Sequence, residues 1–174
     1  MDENVVEVHR LHDDGVIPNG LVPVLSYRSA LPADPVQIER RFGEFGWTGS
    51  WRNGVFPYHH YHSTTHEVLG VYSGSATIRL GGERGIDVEV HSGDVVVIPA
   101  GVAHKRICAS ADFGVVGAYP DGRHADMNYC RLEEREHALA NIRGVPVPKL
   151  DPVLGPDGPL VRHWGENPGR VASE

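Results

Sequence analysis

A chain of 174 residues with only two cysteines, Cys108 and Cys130, is long enough to bury roughly 70% of its unfolded surface, so no disulfide framework or zinc knuckle is needed to hold it together. The formal net charge of −7 comes from 16 basic and 23 acidic residues, and the basic ones are scattered, which excludes the electrostatic footprint of a nucleic-acid partner. The longest apolar stretch, Val95 to Ala103, is interrupted by Pro99 and Gly101 and falls far short of the ~20 residues that a membrane span requires.

With 21 glycines and 13 prolines, the composition favours many short elements joined by turns over a few long helices. Residues 1–33 carry two apolar runs, VVEVH and LVPVLSY, on either side of the turn-rich DDGVIPNG, and both read as edge strands. Asp34 and Pro35 make an N-cap and first-turn pair, and Ile38, Phe42 and Phe45 keep the i, i+4, i+7 spacing of a short helix that stops at Gly46. From Trp51 to Tyr119 come strand-length segments broken by glycine: FPYHHYH, EVLGVY, ATIRL, IDVEVH, DVVVIP, HKRICA and FGVVGAY. Their near-regular spacing predicts a barrel or sandwich. In IDVEVH, Asp87, Glu89 and His91 alternate with apolar residues, the pattern of a strand with one solvated face. Phe56, Tyr58, Tyr72, Phe113 and Tyr119 are expected in the core.

RLEEREHALANIRG then predicts a helix over 131–144, with Leu132, Leu139 and Ile142 on one face and Gly144 just past its end. Prolines at 146, 148, 152, 156 and 159 are too dense for a helix or a central strand, so this tail is expected to wrap a surface, and NPGRVASE to fray. The chain reads as one domain over 1–174, with a barrel core at about 50–120, N-terminal strands and helix over 1–49, and a C-terminal helix and tail over 121–174.

Four of the eleven histidines, at 59, 60, 62 and 66, fall in one short stretch. Alternate side chains of a strand share a face, so His60 and His62 point one way and His59 and Tyr61 the other. Two imidazoles in this relation can converge on a metal, Glu67 follows the turn-like STT, and in GDVVVIPAGVAHKRIC a tight turn at Pro99 and Gly101 places His104 opposite. The positions Gly54, His60, His62, Glu67 and Gly74 match the first cupin motif, and Gly93, Pro99, Gly101 and His104 match the second, whose final asparagine is replaced by Cys108. The wider run from WRNG to DPVLGPDGPL is similar to a family of small bacterial single-cupin proteins with no assigned activity.

The resemblance implies an all-β fold with minor helices, a cupin-type jelly-roll β-barrel. Inside it, His60, His62, Glu67 and His104 would hold one divalent transition metal, Fe, Mn, Ni, Zn or Cu, with two positions left on an octahedral ion for water or a chelating substrate. The reactions it brings into view are those of an oxygenase, an isomerase or a decarboxylase acting on a small polar metabolite. The alternative is a binding or sensing module in which the metal is structural, because fold and function separate readily. A metal-free barrel with a hydrogen-bonded polar interior is a further alternative for the same four groups.

His66 is the rival of Glu67 for the interior. Spacing to Gly74, and the shared parity of Glu67 with Leu69 and Val71, favour Glu67 and send His66 outside the ligand set or behind it. Parity through His104, Arg106 and Cys108 puts all three on one face. Arg106 is then either a carboxylate anchor or the partner of a barrel acid, and Cys108 either lines the cavity or is an inert packing thiol. No phosphate-binding loop, GxSxG or Cys-His nucleophile context is present in the sequence. The expected partners are a small molecule and a second copy of the chain, docked through the N-terminal strands or the tail. The acidic start MDENVVEVHR, with no long apolar run after it, reads as no signal peptide, and a reducing cytoplasm is the expected location.

Overall fold

The computed structural model describes residues 6–165; the terminal NPGRVASE and the first residue of VVEVH lie outside them. Among the described residues nine strands form: β1 (Val6–His9), β2 (Val24–Tyr27), β3 (Trp47–Asn53), β4 (Glu67–Ser73), β5 (Ser75–Leu80), β6 (Ile86–His91), β7 (Val95–Ile98), β8 (His104–Ala109) and β9 (Gly114–Pro120). They make two antiparallel sheets, a six-stranded one in the order β1-β2-β7-β4-β9-β3 and a three-stranded one in the order β6-β5-β8. The fold is a jelly roll flattened into two facing sheets, with few helices.

The six-stranded sheet is covered on both sides, which explains its sequence. Leu69, Val71, Val96, Ile98 and Val115 face the three-stranded sheet and pack with Ile78, Leu80, Val88 and Val90. Their sequence neighbours Val68, Val95, Val97 and Val116 face away and pack against Phe42, Leu160 and Trp164. A strand buried on both faces loses the polar alternation, hence VVVI in β7 and the buried β2. LVPVLSY is therefore not an edge: β2 lies between β1 and β7. In β6, by contrast, Val88 and Val90 are buried while Asp87, Glu89 and His91 are exposed.

The outer cover begins with α1 (Pro35–Glu44), capped by the Asp34 carboxylate, which accepts from the Val36 and Gln37 amides at 2.8 and 3.1 Å. It presses Ile38 and Phe42 onto β4 at Gly70, where a Cβ would stand 2.6 Å from the Ile38 Cγ2 and 2.9 Å from the Phe42 Cζ. The tail completes the cover. It contains a short helix that proline density argued against, α3 (Pro159–Gly165), numbered after α2 (Arg135–Gly144). Pro159 opens α3, where a missing N–H breaks no helical bond, and Leu160 and Trp164 are fully buried. The tail is thus part of the core. Its anchor is the buried Asp151 carboxylate, which accepts from the Val153, Leu154 and Leu160 amides at 2.8, 3.0 and 3.0 Å and from the Tyr27 hydroxyl.

Other expectations need correction. FPYHHYH is not a strand: it is irregular backbone with two isolated bridges, His60 to His104 and Tyr61 to Asn128. A strand unread in the sequence, β3, occupies the edge instead, its alternation broken by a register shift between Thr48 and Trp51. The C-terminal helix starts as a 3-10 turn over Leu132–Glu134. α2 buries Ala138 and Ile142, while Leu132 is 65% exposed. Gly144 is the last residue of α2, capped by Val145, and is not in the left-handed region. Phe56 and Tyr58 are exposed rather than in the core.

Candidate metal centre

Each site histidine is fixed by backbone from both motifs. The His104 amide donates to the His60 carbonyl at 2.9 Å, the His60 amide returns a bond to the His104 carbonyl at 3.3 Å, and the Gly101 amide donates to the His62 carbonyl at 2.7 Å. Gly101 has φ +93, and a Cβ there would meet the Ile142 side chain at 2.7 Å and the Gly20 nitrogen at 3.0 Å. The turn glycine of the second motif therefore supports a histidine of the first. Glu67 opens β4 opposite Ile98 and shares the interior face of Leu69.

The four groups stand together, each between 2% and 8% exposed. One ring nitrogen from each of His60, His62 and His104 lies within 4.8 Å of the other two. The Glu67 carboxylate is 3.5 Å from the His62 Nε2 and 3.4 Å from the His104 Nε2. All three Nδ1 atoms face backbone carbonyls: Tyr58 at 3.0 Å from His60, Asp126 at 2.6 Å from His62 and Val102 at 3.1 Å from His104. A carbonyl oxygen only accepts, so each Nδ1 carries a proton, and in its neutral form each ring keeps its Nε2 lone pair for the interior.

The electrostatics point the same way. Burial, reinforced by the neighbouring His104, drives the His60 imidazole down to about 3, so it is neutral at any working pH. Burial also opposes charge on His62, yet the Glu67 carboxylate outweighs it and raises the imidazole above its usual value. Burial alone would push the Glu67 carboxyl up, but the His62 and His104 rings hold it below the usual carboxylate range. Among the described residues Glu67 has no lysine or arginine within ion-pair distance, only these two rings. Without a metal this carboxylate is balanced by a proton drawn onto His62; a cation among the four groups would take that proton's place and leave every Nε2 lone pair free to bind it.

The donors fit such a cation. Two donors bound at ~2.1 Å to one ion stand ~3.0–3.4 Å apart for octahedral to tetrahedral geometry, close to the 3.4 and 3.5 Å separations between Glu67 and the two rings. Three imidazoles and one carboxylate suit a divalent transition metal rather than calcium or magnesium. The four groups form the floor of a cavity of about 420 Å³, whose walls include Trp51, Val55, Phe56, Leu69 and Arg106.

The other candidates lie elsewhere or differ in role. His66 is on the opposite face of β4's start, packed against Trp164 with ring centroids 4.7 Å apart. Its Nδ1 accepts from the Ala100 amide at 2.9 Å and its Nε2 faces the Pro146 carbonyl at 3.2 Å. Burial holds this imidazole down at about 4, and the arrangement ties the tail to the β7–β8 turn. His59 points outward, its Nε2 2.6 Å from the Glu83 carboxylate.

Cys108 does not share the face of Arg106. β8 pairs Ile78 with Arg106 but Thr77 with Cys108, so Ile107 is an extra residue in the ladder. This bulge reverses the parity, and Cys108 emerges exposed on the outer surface beside Thr77 and Glu89. Cys130 is half-buried, its thiol pushed up to about 12 by burial with Glu134 nearby. A thiol-reactive dye should therefore label native protein in two phases at neutral pH. Cys108 should react first and Cys130 at least about tenfold more slowly, and a C108S variant should lose the fast phase alone.

Sequence reasoning missed Asp126. Its carbonyl orients His62, while its carboxylate accepts from the Ser63 and Thr64 amides at 2.6 and 3.2 Å, from the Ser63 hydroxyl, and from Asn128 Nδ2 at 3.0 Å. The signal available was the D-x-N pattern of residues 126–128 after a turn, which favours side-chain to backbone bonds. Partners that orient a metal-bound histidine typically contribute 10–100-fold to affinity. Asp126→Ala should accordingly weaken metal binding by about that factor in a competition titration with a chelating dye, without removing any of the four donors.

Comparison with known proteins identifies the family. Residues 52–115 match the Cupin domain. The chain is 45% identical over 163 residues to "Uncharacterized protein YjlB" of Bacillus subtilis (strain 168), covering 93% of this chain and 98% of that one. Among solved structures it is similar to acireductone dioxygenase from Bacillus anthracis, described with a cadmium ion in the active center, at 21% identity and TM-score 0.40 over 54% of this chain and 63% of that one. It is also similar to procruciferin, an 11S globulin from Brassica napus, at 17% identity and TM-score 0.38, covering 63% of this chain and 23% of the globulin. With all nine motif positions, from Gly54 to His104, inside the matched segment and a relative aligned over nearly its whole length, the chain belongs to the cupin family.

Proposed function

We propose that this cupin is a metalloprotein in which His60, His62, Glu67 and His104 hold one divalent transition metal, and that it acts on a small polar metabolite as an oxygenase, isomerase or decarboxylase. The observation that carries the reading is the convergence of three Nε2 lone pairs, each enforced by a carbonyl on the far side of its ring, on a buried carboxylate with no lysine or arginine partner among the described residues. The bound ion would supply Lewis-acid or redox chemistry. The protein's part is to keep His60, His62 and His104 in one tautomer, to hold Glu67 ionised, and to limit water to a cavity of about 420 Å³ walled largely by apolar side chains.

That open cavity above the donors favours an ion reachable by substrate over a closed structural one. Elemental analysis of protein purified without chelator or added metal tests the reading, with a His60→Ala/His62→Ala variant as control. Near-stoichiometric metal in the wild type and less than a tenth of it in the variant is expected. Equal, negligible content in both would defeat the proposal.

A further inference from the structure

The cavity above the four donors contains two arginines, and they differ. Arg52 is committed: its Nε and Nη2 donate to the Glu39 carboxylate at 2.8 and 3.1 Å. Arg106 is not. Its backbone amide donates to the Phe56 carbonyl at 3.0 Å, and among the described residues no carboxylate lies within ion-pair distance of its side chain and no acceptor within hydrogen-bond distance. Among the described residues Glu67 is the sole acid on the cavity wall, and its two oxygens lie at the His62 and His104 rings. Before the bulge at Ile107, β8 places Arg106 opposite the interior residue Ile78 and two residues from His104. The rest of the wall is largely apolar, with Trp51, Val55, Phe56 and Leu69, and its one further polar side chain among the described residues, Asn53, accepts from the Gly54 amide at 2.8 Å. At the mouth Phe56 stacks on Tyr58 with ring centroids 5.0 Å apart, and Tyr129 stands 6.1 Å beyond.

A guanidinium with no acceptor among the described residues, facing a largely apolar cavity, is a half-made ion pair. We propose that Arg106 anchors the carboxylate of an organic acid whose apolar body, an aromatic ring in the simplest case, lies against Trp51 and Phe56. The proposal deepens the reading of the site as a place for a small metabolite, and it stands on Arg106 whether or not a metal is bound. Its chemistry is binding only. A forked guanidinium takes a carboxylate through two parallel N–H···O bonds and leaves the body of the ligand directed along the cavity toward the four donors. An amide of the same shape cannot form that pair, and a bare carboxylate forfeits the apolar contact.

The test uses calorimetric titration of chelator-stripped full-length protein with benzoate, with its neutral counterpart benzamide, and with acetate. Benzoate is expected to bind at least tenfold more tightly than either. In R106Q that preference over benzamide should collapse to less than threefold, and R106K, which keeps the charge without the fork, should fall between. Both variants should take up metal as the wild type does, since no donor is altered. Benzoate binding no tighter than benzamide in the wild type, or a preference undiminished in R106Q, would overturn the proposal. Because the protein is metal-free throughout, failure of the elemental analysis described above leaves these outcomes as decisive as before.

Discussion

Saturating the wild-type protein with its metal should raise its melting temperature by roughly 8–16 °C over chelator-stripped protein, and Glu67→Gln should abolish most of that shift. A ligand present at a thousand times its Kd stabilises the folded state by about 4 kcal/mol, and each kcal/mol moves the midpoint of a chain this size by about 2–4 °C. The substitution is nearly isosteric, so it tests charge. Glutamine cannot offer the anionic oxygens that now stand 3.4 and 3.5 Å from the His104 and His62 nitrogens, and the ion would be left with three neutral donors. Differential scanning fluorimetry of the two proteins, each with zinc and with chelator, reads the effect directly. A zinc shift in the variant as large as in the wild type would show that Glu67 is not a ligand.

The second large effect lies far from the site. Asp151→Ala should destabilise the protein by about 3–5 kcal/mol in urea unfolding, because it strands buried donors, each unsatisfied one costing about 1–3 kcal/mol. The donors are the amides of Val153, Leu154 and Leu160 and the hydroxyl of Tyr27. Burial, with the Asp151 carboxylate beside it, holds the Tyr27 phenol far above its usual value, so it remains a donor throughout the accessible range. Tyr27→Phe removes one donor and leaves the three amides paired, so it should cost distinctly less, about 1–2 kcal/mol. If Asp151→Ala cost no more than Tyr27→Phe, the tail would not be the structural seal that its buried Leu160 and Trp164 make it.

The grouping of His60, His62, Glu67 and His104 was legible because their spacing is local and rigid. A one-residue gap sets His60 and His62 on one side of an extended chain whether or not a ladder forms, and here none does beyond isolated bridges. The apolar parity of Leu69 and Val71 ranked Glu67 over His66 for the interior, and the structure puts Glu67 among the other three and His66 against Trp164. Strands β4 to β9 were legible as short runs between glycines.

What was hidden depends on register and on distant partners. The extra residue in β8 has no marker in HKRICA, so Cys108 was read onto the wrong face. β3 reads weakly because Thr-Gly-Ser interrupts it at a register shift. α3 was hidden by proline density in a segment where Pro159 in fact starts the helix. Asp126 orients His62 through its backbone carbonyl, an atom every residue possesses, and only its side-chain bonds to Ser63, Thr64 and Asn128 make that carbonyl special.

The bulge at Ile107 divides one strand between two environments. Upstream of it, side chains can be selected for chemistry inside the cavity; downstream, neighbours in the same strand answer only to solvent. If β8 lost the bulge while keeping Ile107, so that Ile107 faced Thr77 and Cys108 faced Ala76, the thiol would turn to the cavity side that Arg106 shares; deleting Ile107 would instead leave Cys108 opposite Thr77, on the outer surface. The exclusion of sulfur from this pocket thus rests on register alone, and a slip of one position after Arg106, without any change of side-chain type, is enough to bring it in.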